Sequence, residues 1–277
     1  QTNAATNNGD GTWTLADGTL TVLAEGTFDV SVTATDVAGN AGSDGTSNEL
    51  TVDTTAPVVT VDTLTTNDTT PALSGTVDDT AATISVTADG QTNAATNNGD
   101  GTWTLADGTL TALAEGTFDV SVTATDVAGN ADTDSSTDEL VIDTTPPTAP
   151  SAPDLIAAND SGSSDTDDVT NVTTPTLAGD AEANSTVEVT SDVAGVVGTA
   201  TADGFGIWTL TSSTLGDGVH SLTAEATDVA GNIGAASTAL TVTIDATAPV
   251  ATSTPDLDAA SDSGVDTDNI TSDDTPT

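Results

Sequence analysis

The chain has 277 residues, 44 of them acidic, with one histidine and no lysine or arginine. Such a charge repels nucleic acid and anionic membrane surfaces, and each carboxylate must be solvated, hydrogen-bonded to backbone or bound to metal. The absence of Cys and Met rules out disulfides, thiolate metal sites and thiol catalysis, and no run approaches the roughly 20 apolar residues of a membrane-spanning helix.

Low hydrophobicity with high charge is the composition of disorder, but Thr, Ser, Val and Ala alternate here with the period of a strand. Gln1 to Asn40 recurs 90 residues later at Gln91 to Asn130 with one change, Val22 to Ala112. That period is close to a seven-strand sandwich of about 100 residues and too long for a solenoid unit. The links Asp53-Thr-Thr-Ala-Pro57, Asp143-Thr-Thr-Pro-Pro147 and Asp245-Ala-Thr-Ala-Pro249 divide the chain into four pieces. Residues 1–53 read as the back part of a module, 54–143 and 144–245 as complete modules, and 246–277 as the start of another. The chain opens in mid-repeat without a signal peptide, as an internal piece of a longer protein would.

Within 54–143 the alternation predicts strands over Val59–Leu64, Ala72–Val77 and Thr83–Ala88. Asn97-Asn-Gly-Asp-Gly101 is a tight turn, followed by a strand with Trp103 and Leu105 on one face. Thr117–Thr125 turns Phe118, Val120, Val122 and Ala124 inward, and Glu139–Ile142 closes the module. Thr176–Ala181, Thr186–Thr190, Ile207–Leu210, Val219–Thr227 and Ala239–Ile244 fill the same slots in 144–245. Its added length lies early and carries Asp160-Ser-Gly-Ser-Ser-Asp165-Thr-Asp167-Asp168; a near copy, Asp262-Ser-Gly-Val-Asp266-Thr-Asp268-Asn269, opens the last piece. Trp13, Trp103 and Trp208 recur once per module and read as core. His220 stands in the slot of Phe118, as an in-facing or rim side chain.

The turns Thr35-Asp36-Val-Ala-Gly-Asn40, Thr125-Asp126-Val-Ala-Gly-Asn130 and Thr227-Asp228-Val-Ala-Gly-Asn232, the Asp-Thr-Thr-Ala-Pro links, and an opening that fits Pro153-Asp154-Leu155 through Thr176 and Pro255-Asp256-Leu257 through Thr277 together resemble the bacterial Ig-like repeats of giant surface adhesins secreted through type I systems. The resemblance covers essentially the whole chain. It implies an all-β fold of tandem immunoglobulin-like sandwiches in a linear rod, an extracellular stalk at the bacterial cell surface, calcium at module junctions, and roles in attachment and biofilm. The chain departs from such adhesins in having no RTX nonapeptide array, ligand-binding tip or membrane anchor.

In an Ig-type sandwich the loops between the second and third and the sixth and seventh strands share an end with the incoming chain. Asp53, Asp78, Asp79 and Asp126 then gather at one pole, and Asp143, Glu182 and Asp228, with Asp180 nearby, at the next. Asp36 and Asp245 hold the corresponding places in the first copy and at the last link. Carboxylates so gathered resist ionising together, and a hard cation with about six to eight oxygen ligands removes that cost. The competing reading is that Asp126 caps its own turn. Asp160, Asp165, Asp167 and Asp168, and likewise Asp262, Asp266 and Asp268, have calcium-loop spacing without the terminal Glu of an EF-hand; the competing reading there is a solvated insertion.

Acids repeated on every module, with few aromatics to line a pocket, point away from catalysis. The expected function is a non-catalytic stalk whose partners are neighbouring modules of the same chain, with neither nucleic acid nor direct membrane insertion. The alternative is a subunit of a self-assembling filament or surface layer, completed by strand exchange between chains.

Overall fold

The computed structural model describes residues 1–251 except 135 and 163, together with 258, 261, 272 and 275. Asp262, Asp266 and Asp268 lie outside the described residues. No helix forms among those described, and every regular element is a strand. The chain forms two compact units: Gln1–Thr148 with Ala226–Gly234, and Ala149–Glu225 with the described residues from Ala235 on.

In the first unit, residues 54–143 build a sandwich. One sheet runs in the order Ala131–Thr133, Val120–Thr125, Thr83–Ala88, Gln91–Asn97, Thr102–Leu105, Leu73–Thr76. Gln91–Asn97 is its corner: Gln91 to Ala95 pair with Thr83–Ala88, whereas Thr96 and Asn97 pair with Thr102–Leu105. A three-stranded sheet joins Gly116–Phe118 to Leu140–Ile142, and Leu140–Ile142 to Leu64–Thr66 in parallel. Alternate residues of these strands turn inward, so Val86, Ala88, Trp103, Val122, Ala124 and Leu140 are wholly buried. The strand predicted over Val59–Leu64 is broken, with a lone bridge from Val59 to Val77 and regular pairing only from Leu64. Gln91–Asn97 was not foreseen, because its polar Gln-Thr-Asn-Ala-Ala-Thr-Asn face carries no apolar alternation.

Trp103 is clamped by its neighbours. Its Nε1 donates to the carbonyl of Thr60 at 2.9 Å, and its strand partner is Gly75. A Cβ at Gly75 would stand 2.0 Å from that carbonyl oxygen and 2.7 Å from Trp103 Nε1. Gly75 is therefore required by the close approach of the indole to the backbone.

Residues 1–53 lack this packing. Their strands shrink to Thr6–Asn7, Trp13–Thr14, Gly26–Phe28, Thr33–Thr35, Ala41–Ser43 and Leu50–Val52, paired only two by two. The expectation that Trp13 is a core residue fails: it is 44% exposed, against 0% for Trp103. The one difference between the copies, Val22 against Ala112, is exposed in both; what buries Trp103 is the packing of residues 59–88 across it.

In residues 149–251 a three-stranded sheet orders Asp154–Leu155, Thr176–Asp180 and Ile207–Thr211. A five-stranded sheet orders Val169–Thr170, Leu240–Ile244, Gly218–Thr227, Thr186–Ser191 and Gly195–Thr201. His220 is buried, with Nδ1 3.0 Å from Ser191 Oγ and Nε2 2.9 Å from the carbonyl of Gly216. A carbonyl can only accept, so Nε2 donates to it while Ser191 holds Nδ1, a structural role.

Candidate functional site

The early insertion of residues 156–168 folds back on its own sheet. Asn159 Oδ1 accepts from Thr176 N at 2.6 Å, and Asn171 N donates to Ser161 Oγ at 2.8 Å. Asp168 takes a left-handed conformation with φ 56°, which an aspartate tolerates better than most side chains. The loop encloses a cleft of about 280 Å³ lined by Asp154, Leu155, Ala157, Asp160, Asp165, Thr166 and Asp168. Four carboxylates thus border one small space.

Asp160 is 6% exposed. Its Oδ2 accepts from Asp168 N at 3.2 Å, while its Oδ1 is buried without a hydrogen-bond partner. Such an oxygen costs about 1–3 kcal/mol if left unmet. Burial raises the Asp168 carboxyl above the usual carboxylate range, and the charges of Asp160, Asp154 and Asp167 push it further up. Asp167 Oδ1 accepts from Val169 N at 3.3 Å. Among the described residues no three carboxylates already stand in ion-binding geometry, so an ion here would need the loop to draw its acids inward. The donor set, all hard oxygen and bearing an unmet charge, fits calcium or another hard divalent cation.

The acids expected at the module poles are held differently. Asp126 Oδ1 accepts from Gly129 N and Asn130 N at 2.7 and 2.8 Å, and Oδ2 accepts from Asn130 Nδ2 at 2.8 Å. The same Asn130 Nδ2 donates to the backbone carbonyl of Asp53 at 3.1 Å. Asp228 repeats the pattern, and Asn232 Nδ2 donates to the carbonyl of Asp143 at 2.7 Å. Asp36 is capped in the same way by Asn40. Hydrogen bonds from the Asn side chain, then from backbone, hold Asp36 and Asp126 below the usual carboxylate range. The link aspartates contribute carbonyls to this contact. Their side chains turn onto their own links, Asp53 to Thr55 N, Asp143 to Thr145 N and Asp245 to Thr247 N. Asp78 Oδ1 accepts from Val58 N and Asp79 Oδ1 from Ala81 N. Asp180 and Glu182 are exposed and engage through their backbones, to Ser151 and Ser185. The capping reading thus describes the Asp126 turn, and the residue that sequence reasoning missed is Asn130, visible as the last letter of the repeated Asp-Val-Ala-Gly-Asn.

A second repeated device was also missed. Glu25 accepts from the hydroxyls of Thr54 and Thr55, Glu115 from those of Thr144 and Thr145, and Asp217 from Ala246 N and Thr247 Oγ1. One acid, just before the strand that pairs with the strand entering each link, therefore fastens that link. The signal lay in an acid followed by glycine about 28 residues ahead of each link.

A bacterial Ig-like domain model matches residues 59–144 and 146–246, and a model of group 3 bacterial Ig-like domains matches residues 13–91. The chain belongs to the bacterial Ig-like domain family. These Ig-like domains are similar to a tetra-tandem repeat in the extending region of a large adhesion protein, at 28% identity over 81% of this chain and 58% of that one, TM-score 0.31. They are also similar to the BSP domain of a biofilm associated protein, at 23% identity over 69% of this chain and 30% of that one, TM-score 0.27. A third is a Ca2+-stabilized adhesin that helps an Antarctic bacterium reach out and bind ice, at 25% identity over 78% of this chain and 56% of that one, TM-score 0.29. The chain spans less than two thirds of the length of each of these three. No match was found among curated proteins.

Proposed function

We propose that this chain is a non-catalytic stalk segment of a large bacterial surface adhesin, supporting attachment or biofilm growth from outside the cell. Its tandem Ig-like modules, bounded after residues 53, 143 and 245, form a rod stiffened by calcium. Family membership, the internal repeat and the sequence resemblance to adhesin repeats support the stalk. The observation that carries the calcium is the buried, unpartnered Asp160 Oδ1 among the carboxylates of Asp154, Asp165 and Asp168, in a chain with no lysine or arginine.

In this reading Asp154, Asp160, Asp165 and Asp168 hold the ion, with Asp167 beside them. The ion supplies positive charge, relieving the burial and neighbouring charges that raise the Asp168 carboxyl. Neutralised, the insertion becomes a rigid shoulder at the head of its sandwich. Asp53, Asp126, Asp143 and Asp228 serve the stiffness by another route, through the Asn130 and Asn232 clamps on the link carbonyls.

Titration calorimetry of the full chain with calcium tests the reading, with magnesium as comparison. Saturable calcium binding at about 0.1–1 mM or tighter, the range of extracellular modules at its weak end, and its loss in Asp160→Asn are expected. Small-angle scattering with and without chelator tests the stiffening. Equal calcium binding by the wild-type and Asp160→Asn chains would remove the site, and an unchanged maximum dimension in chelator would remove the calcium-stiffened rod.

A further inference from the structure

A second buried acid lies in the sandwich of residues 54–143, apart from the Asp160 cleft. Glu139 is 2% exposed. Its Oε2 accepts from Val120 N at 2.9 Å, and its Oε1 is buried without a hydrogen-bond partner. Asp134 is its neighbour on the same strand edge. Asp134 N donates to the carbonyl of Val122 at 3.0 Å, two residues on from Val120, so the two acids are anchored about 7 Å apart along that strand. From there Asp134 Oδ2 accepts from Val61 N at 2.7 Å, and its Oδ1 from Ser136 Oγ at 2.8 Å. Leu64 N donates to the Glu139 carbonyl at 2.7 Å. The segment from Val61 to Leu64 is therefore tied to one acid at each end. In residues 1–53 the matching acid, Glu49, takes hydrogen bonds from the Thr46 hydroxyl and then Val30 N, which hold its carboxyl below the usual range against the charge of Asp44. Glu139 Oε1 has no such hydroxyl. In residues 144–245, counted from Asp126 to Asp228, the two slots fall on Ala236 and Thr241, so the paired acids belong to one kind of module only.

We propose that Glu139 and Asp134 hold a hard divalent cation inside this sandwich, a site separate from the Asp160 cleft and independent of it. A buried carboxylate is costly unless a positive charge meets it. The chain has no lysine or arginine to do so, and the one histidine is engaged by Ser191 and Gly216 in the other unit. A water molecule can donate to the orphan oxygen but leaves both negative charges in place. A cation meets the oxygen and the charge together, and two carboxylates completed by backbone carbonyls form the all-oxygen shell that calcium takes. The position gives the ion a mechanical role. Thr60 and Asp62 donate to Thr76 and Ser74 of the larger sheet, whereas Leu64–Thr66 pairs with Leu140–Ile142 of the smaller one. An ion between Asp134 and Glu139 pins the opening strand at the point where it crosses from one sheet to the other.

The test is a calcium titration of the full chain labelled at its valine nitrogens, with the amide resonances of Val61 and Val120 assigned by single Val→Ile variants. These two N–H groups donate to the two acids. Both resonances should shift saturably at about 0.1–1 mM calcium or tighter, in wild type and equally in Asp160→Asn. Glu139→Gln keeps an oxygen for Val120 N and Asp134→Asn keeps one for Val61 N, so each spares the backbone bond while removing a charge, and each should weaken the calcium response at least tenfold. No saturable shift of either amide by about 10 mM calcium, well past the weak end for extracellular modules, would overturn the proposal. So would binding in either variant as tight as in wild type, or loss of both shifts in Asp160→Asn. Failure of the Asp160 cleft is read apart from this, by calorimetry of Asp160→Asn, and leaves the Val61 and Val120 shifts intact.

Discussion

Gly75→Ala tests the packing account most directly. Its Cβ would lie 2.0 Å from the Thr60 carbonyl oxygen, where 3.4 Å is the near limit of ordinary contact, so the two strands must part by more than 1 Å. That separation breaks the 2.9 Å bond from Trp103 Nε1 to Thr60 O and strains the 3.0 Å bond from Thr60 N to Thr76 O. A buried donor left unmet costs about 1–3 kcal/mol, and overpacking adds about 1–3 kcal/mol. The expected loss is therefore about 2–6 kcal/mol, a large share of a single domain's stability. Urea unfolding of the full chain, followed through the fluorine resonance of 5-fluorotryptophan at position 103, isolates this module's transition from its neighbours. At about 1–2 kcal/mol per molar the midpoint should fall by at least about 1 M, or the module should be unfolded without urea. Val127→Ala, in the same module, is the comparison, since that side chain is 87% exposed; its effect should be within about 0.5 kcal/mol. A Gly75→Ala midpoint as close to wild type as that of Val127→Ala would refute the idea that the indole is seated against the Thr60 backbone.

Asn232→Ala removes the bonds to the Asp143 carbonyl and Asp228 Oδ2 while Asp228 keeps its backbone cap; amide exchange in residues 143–145 should quicken by about tenfold or less, the equivalent of about 1 kcal/mol, and an unchanged rate would deny the clamp. The raised Asp168 carboxyl means that the folded chain holds a proton the unfolded chain has released. In chelator this contribution to stability is therefore full in acid and declines as pH rises from the ordinary carboxylate value through the raised one. Thermal melts from pH 3 to 7 should show that decline shallower in Asp168→Asn. The lowered carboxyls of Asp36 and Asp126 act with the opposite sign: their contribution is present above the ordinary carboxylate value and is lost as pH falls through the lowered one. Asp126→Asn melts should lose this acid limb. Asp160→Asn should raise the melting temperature in chelator, because it removes a buried negative charge beside those of Asp154, Asp165 and Asp168, and lower it relative to wild type in saturating calcium; a change of the same sign in both would count against an ion at that oxygen.

Composition and period were enough to determine the all-β class, most of the strands in residues 54–143 and the family, though not the polar strand Gln91–Asn97. Alternation in Thr83–Ala88 and Val120–Thr125 reflects a strand's two faces, and the repeated Asp-Val-Ala-Gly-Asn marks each turn because an aspartate there meets the backbone donors two to four residues on. The sequence could also count the acids of the insertion. It could not show that Asp160 is the buried one, or that Asp154, on a strand before the loop, borders the same cleft, because both depend on how the loop folds back on its sheet. Nor could it show that Asn130 and Asn232 carry the contacts to the links while the link aspartates offer carbonyls. The clearest limit lies in residues 1–40 and 91–130, nearly the same letters in two states. Trp103 is buried and Trp13 is not, since a strand's inward face is a core only when another strand lies across it.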